Sequence, residues 1–153
     1  MNKLLFGLLL ICLGHVSYSQ LSYPYQDIKL EKPSDYKETE SLALSAANFL
    51  LSTPFAEGNT NRNNALDFLT KWLEGSKGHE VYMKGMVMEL ATDRNTLGLF
   101  IAATAKYRLE NKAEAVNPIK TEQEAAKILL AYCDDPKNNF KLKKKYRKVL
   151  EKN

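Results

Sequence analysis

Apolar side chains recur along this chain at helical spacing, and one segment follows the pattern without a gap. Ala65, Phe68, Leu69, Trp72 and Leu73 fall at i, i+3, i+4, i+7 and i+8, which puts them on one face of an α-helix. Gly75 follows where a left-handed C-cap residue belongs. Upstream, Leu42, Ala46, Phe49 and Leu50 share a face. They predict a helix from Ser34 or Asp35 to Ser52, opened by Asp35 with Glu38 three residues on and stopped by Pro54. The intervening TPFAEGNTNRNN is polar and rich in turn residues, and reads as a loop.

Downstream the pattern continues. Glu80 to Tyr82 reads as an extended entry to a short helix ending near Ala91, on which Met83, Met86, Val87 and Leu90 share a face. Asp93 is placed to cap a helix running from Arg94 or Asn95 to Asn111. Leu97, Phe100, Ile101, Ala103 and Ala105 make its first half apolar nearly all round, as expected of a central, buried helix. A T-x-x-E box at Thr121 and Glu124 predicts the start of the next helix. Its face is Ala125, Ile128, Leu129 and Tyr132, and Asp134-Asp135-Pro136 ends it. The last helix is expected from about Asn139, with Leu142, Tyr146, Val149 and Leu150 on one stripe and basic residues over the rest. No strand of useful length and no internal repeat occur. The expectation is an all-α fold, one compact helical-bundle domain of about five helices over residues 33–153.

The amino-terminal part is patterned differently. Lys3 precedes an unbroken apolar run from Leu4 to Leu13, and Ser17 and Ser19 supply small residues three and one before Gln20. Residues 1–19 therefore read as a secretory signal peptide cut between Ser19 and Gln20. Cys12 could carry lipid only if a small residue preceded it, and Ile11 stands there. Export to the periplasm or the medium as a soluble protein is the expectation. Residues 20–32 read as an extended arm, since Pro24 blocks a helix and Tyr23 and Tyr25 suit lying along a surface.

Composition narrows the picture. Beyond the leader nothing approaches the roughly 18 apolar residues of a membrane span, so no transmembrane segment is expected in the processed chain. Cleavage would remove Cys12 and leave Cys133, so no internal disulfide supports the fold. Cys133 reads as a small buried hydrophobe, with pairing between chains as the alternative. Residues 20–136 carry 13 basic and 17 acidic side chains, while residues 137–153 carry eight basic residues against Glu151. A mildly acidic body thus bears a basic final helix.

Candidate chemistry is sparse. His79 is the one histidine beyond the leader, and it sits in a Gly/Ser/Lys loop with no nucleophile motif beside it. One histidine and one cysteine, 54 positions apart, do not make a zinc site. No calcium loop or phosphate-binding glycine loop occurs, so no metal and no cofactor is expected. Paired carboxylates could hydrolyse cell-wall sugar, with Glu57, Asp67, Glu80, Glu89 and Asp93 as candidates. Trp72 belongs to a regular core face rather than to a sugar-stacking platform. Arg62, among Asn59, Asn61, Asn63 and Asn64, reads as decoration of a helix start, with anion recognition as the alternative.

The basic helix has three readings: docked on the domain with its lysines in water, lying on an anionic membrane surface, or binding nucleic acid or an acidic polymer. The surface reading names Lys143, Lys144, Arg147 and Lys148. Nucleic acid is not expected as a partner, because it is scarce outside the cytoplasm and Tyr146 belongs to the apolar stripe.

Ala47-Asn48-Phe49-Leu50-Leu51-Ser52-Thr53-Pro54, Asn61-Arg62, Ala65, Phe68-Leu69, Trp72 and Tyr132-Cys133-Asp134-Asp135-Pro136 resemble a group of short exported bacterial proteins of unassigned activity. The resemblance implies an envelope protein of a bacterium with an outer membrane, and it lends no catalytic residue. The sequence thus points to a non-enzymatic binding or accessory module of the envelope, of the inhibitor or immunity type, meeting an envelope protein or an anionic envelope polymer. A small cell-wall hydrolase with paired carboxylates is the alternative.

Overall fold

The structure, a computed structural model, describes residues 25–78 and 85–152. The leader, the Ser19–Gln20 cleavage point, His79, Glu80 and the extended entry expected near Tyr82 lie outside the described residues. Among those described, the regular structure is helix alone. A 3₁₀ turn, Tyr25–Asp27, precedes α1 (Pro33–Glu38), α2 (Glu40–Ser52), α3 (Thr60–Gly75), α4 (Met86–Leu90), α5 (Arg94–Glu110) and α6 (Pro118–Asp134). A second 3₁₀ turn, Pro136–Asn138, leads to α7 (Lys144–Glu151). The all-α reading holds, with seven helices among the described residues rather than about five.

α5 is the central helix, packed against α2, α3, α4 and α6. Its two faces feed two parts of the core. Ala102, Ala105 and Leu109 join Ala46, Ala47, Phe68, Leu69 and Trp72 on the α2–α3 side. Leu99, Phe100 and Ala103 join Leu90, Leu129, Tyr132, Tyr146 and Leu150 on the α4–α6–α7 side. The near-circumferential apolar character of this helix follows from that double duty.

Several boundaries differ from the sequence expectation, each for a local reason. The first long helix is interrupted at Thr39, whose hydroxyl donates back to the Asp35 carbonyl at 2.6 Å. Such back-bonding bends helices, and Thr39 leaves the α-region with ψ of 6°. Asp35 does not start α1 but acts from its third position, accepting the backbone N–H groups of Glu31 and Lys32, each at 2.9 Å. α3 begins inside the expected loop, because Asn59 Oδ1 accepts the Arg62 N–H at 3.0 Å. α6 opens four residues early, on Asn117, which accepts the Lys120 N–H at 3.1 Å. Thr121 is then interior and buried, its hydroxyl bonded to the Asn117 carbonyl at 2.9 Å. α7 starts later than Asn139, which is left-handed with φ of 51° and closes the second 3₁₀ turn. Gly75 is not a left-handed cap but the last residue of α3. A Cβ there would stand 2.1 Å from the Tyr36 hydroxyl oxygen, so any larger residue would have to displace the Tyr36 ring.

Arg62 is neither surface decoration nor an anion receptor. It is buried, and its guanidinium closes the carboxyl end of α2: Nη2 donates to the Leu50 carbonyl at 2.9 Å and Nη1 to the Thr53 carbonyl at 3.1 Å and hydroxyl at 2.7 Å. The final carbonyls of a helix lack partners in the helix itself, and Arg62 supplies them from α3. Arg62→Ala should cost about 2–4 kcal/mol, since charged hydrogen bonds are lost and buried carbonyls are left unmet. The midpoint of urea unfolding measures this, and an unchanged midpoint would refute the capping role.

Candidate functional site

The arm and α3 together frame a concavity. Tyr25 is buried, with its ring stacked on Phe68 at 5.3 Å between centroids. Gln26 Nε2 donates to Asn64 Oδ1 at 3.0 Å. At the other end, the Tyr36 hydroxyl donates to the Leu30 carbonyl at 3.1 Å. The indole N–H of Trp72 donates to the Tyr36 carbonyl at 2.9 Å, which ties that end to the core. A groove of about 610 Å³ lies along this arm. Ile28, Leu30 and Phe68 contribute apolar surface, and Asn64, Asp67, Lys71 and Glu74 contribute polar groups from one side of α3.

Of the carboxylates considered for hydrolysis, Asp67 lines this groove, and Glu74 joins it there. The two sit seven residues apart on α3, about 10.5 Å along the axis, with Lys71 between them. Asp67 is open to water, its side chain 59% exposed and 3.8 Å from Arg94. Exposed pairs of this kind contribute little stability. Glu57 lines a separate small cavity beside Arg62, and Glu89 is exposed on α4. Among the described residues, no three His, Cys, Asp or Glu side chains gather in a way that could hold a metal.

Asp93 has another task. It caps α5, accepting the Thr96 N–H at 3.0 Å, and receives Lys143 Nζ at 2.7 Å. Burial alone would raise its carboxyl, but the bonds from Lys143 and Thr96 outweigh burial and hold it below the ordinary value. A depressed native pKa gives stability that is complete above the unfolded-state value near 4 and lost as pH falls through the native one. Asp93→Asn should therefore flatten the acid limb of stability below about pH 4, read from urea midpoints across an acid titration. An acid limb identical to the parent's would remove Asp93 from acid unfolding.

α7 docks through its apolar stripe and through two ion pairs. Tyr146, Val149 and Leu150 are buried, and the Tyr146 hydroxyl lies 2.8 Å from Thr92 Oγ1. Lys143 binds Asp93, and Arg147 binds Asp134 and, at 3.5 Å, Glu151. Two of the four cations named for an anionic surface are thus paired with the domain's own carboxylates at its surface. Lys144 and Lys148 are exposed and make no ion pair among the described residues. Cys133 is half-buried, and burial pushes its thiol up to about 11, so it stays protonated at neutral pH. No helix among the described residues is long and apolar enough to cross a membrane.

Comparison with protein-family models, with curated proteins and with solved structures finds no match.

The groove residues Gln26, Ile28, Leu30, Lys71 and Glu74 were not singled out by the sequence. The available signal is the polar row Asn64, Asp67, Lys71 and Glu74, which repeats every three or four residues beside the apolar stripe of α3.

Proposed function

We propose that the chain is an exported, non-enzymatic binding module of the bacterial cell envelope, of the inhibitor or immunity type. It holds a segment of a partner protein in the groove between the arm and α3. The groove itself carries this reading: an apolar strip bordered by side-chain amides and both signs of charge suits a peptide segment, which has apolar side chains and a backbone to satisfy. Binding sites favour such a mixture of apolar surface and a few placed polar groups.

A hydrolase would want two carboxyls converging on one bond, with one of them desolvated enough to hold a proton. Asp67 and Glu74 share the groove but lie in water about two helical turns apart, and this supports binding over bond cleavage. They remain the residues on which the alternative, a cell-wall hydrolase, would depend.

Capture of envelope proteins by the processed chain tests the reading. The parent should retain one protein that is lost with Asp67→Lys plus Lys71→Glu, a change that exchanges the charges at two of the groove's three charged positions without touching the core. Release of soluble fragments from purified cell wall, abolished by Asp67→Asn or Glu74→Gln, would overturn binding in favour of hydrolysis.

A further inference from the structure

We propose that the outward lysine face of α7 adsorbs the domain to an anionic phospholipid surface. The cations in and just before this helix divide into three sets, one of them Lys145 alone, whose ammonium lies over the Tyr146 ring, 4.4 Å from its centroid. Lys143 and Arg147 are held by Asp93 and Asp134 and position the helix. At about 100° per residue, Lys144 and Lys148 lie opposite the buried stripe of Tyr146, Val149 and Leu150, with Lys152 beside them. All three are exposed and make no ion pair among the described residues. Lys137 and Lys141, also exposed and likewise without an ion pair, precede the helix. Asp93 and Asp134 thus take up Lys143 and Arg147, Tyr146 takes up Lys145, and the outward lysines are left without a carboxylate partner among the described residues. With residues 20–136 net acidic, the charge is polarised and orients α7 toward a negative surface.

The chemistry of the face selects a bilayer among the polyanions. Its outward cations are all lysines, compact point charges that suit a diffuse layer of phosphate headgroups. The one arginine of the helix, with the planar fork that reads nucleic acid or carboxylate, is already engaged. Tyr146 is buried, so α7 offers no ring on which a base could stack. With its apolar stripe in the core, the helix adsorbs by charge and does not insert. Binding of that kind is strongly salt-dependent, and each lysine near the surface contributes about fivefold in affinity.

Sedimentation of the exported, processed chain with vesicles tests this. Vesicles of mixed phosphatidylglycerol and phosphatidylcholine should bind it at low salt. Pure phosphatidylcholine should not, and about 1 M salt, which cuts the screening length to about 3 Å, should release it. Lys144→Gln plus Lys148→Gln should weaken binding about 25-fold, while Lys29→Gln plus Lys37→Gln, of equal charge loss on the arm and α1, should leave it unchanged. Equal weakening by both pairs, or salt-resistant binding to neutral vesicles, would overturn the assignment. So would displacement of the chain from vesicles by duplex DNA at equal phosphate concentration. The assay contains no partner protein, so its outcome is independent of the groove reading.

Discussion

Trp72→Ala should destabilise the domain by about 3–5 kcal/mol, the usual cost of removing a large buried aromatic. Trp72 is fully buried at the meeting of α2, α3 and α5. Its indole N–H also holds the Tyr36 carbonyl at 2.9 Å, so the truncation opens a cavity and loosens α1 together. A domain of this size has about 5–15 kcal/mol in all, so the variant should melt far earlier or fail to accumulate. Trp72 is the single tryptophan of the chain, and its emission should be that of an apolar environment in the native state. Emission typical of indole in water, in the folded protein, would contradict this placement.

Ending the chain at Asn139 should unfold the domain or strip most of its cooperativity. α7 has only eight residues, too short to hold itself as a helix in water, so its order comes from docking against α4 and α6. Burial of Tyr146, Val149 and Leu150 contributes about 1.5–3 kcal/mol each as an upper bound, a sum comparable to the stability of the whole domain. Leu142 and Phe140 pack partly against the same cluster and would be lost too. Phe140 meets Phe55 edge-on at 4.9 Å, so the truncation also reaches the segment between α2 and α3. An unchanged melting transition would make the basic segment an independent tail.

The parts of the fold legible from sequence are those set by a repeating pattern. The stripe from Ala65 to Leu73 buries as its periodicity requires, because burial of many side chains outweighs any local preference. At the start of α5, Phe100, Ala103 and Ala105 bury while Leu97 and Ile101 stay partly exposed. Asp93 reads as a cap from sequence and is one. Boundaries set by competing local bonds were less legible. Asn117 and Thr121 are both cap-forming residues four apart, and the chain uses the earlier one. Thr39 reads as an ordinary helical residue until its hydroxyl turns back on Asp35. The role of Arg62 depends on where α2 ends in space, and no spacing rule carries that. The groove was illegible for the same reason, since the path of the arm is set by the contact of Tyr25 with Phe68, 43 positions along the chain. The basic helix was legible as a stripe but not as a division of labour, because which lysines stay outward depends on where Asp93 and Asp134 stand.

A photoreactive side chain placed at Asn64, on the wall of the groove, gives the most direct test of binding at this site in living cells. Irradiation should join the chain to one discrete envelope protein, and the same probe at Lys127, on exposed α6 surface, should not. The Asn64 adduct should vanish with Asp67→Lys plus Lys71→Glu. Equal labelling from both positions, or no protein adduct from Asn64 at all, would contradict a partner-binding groove.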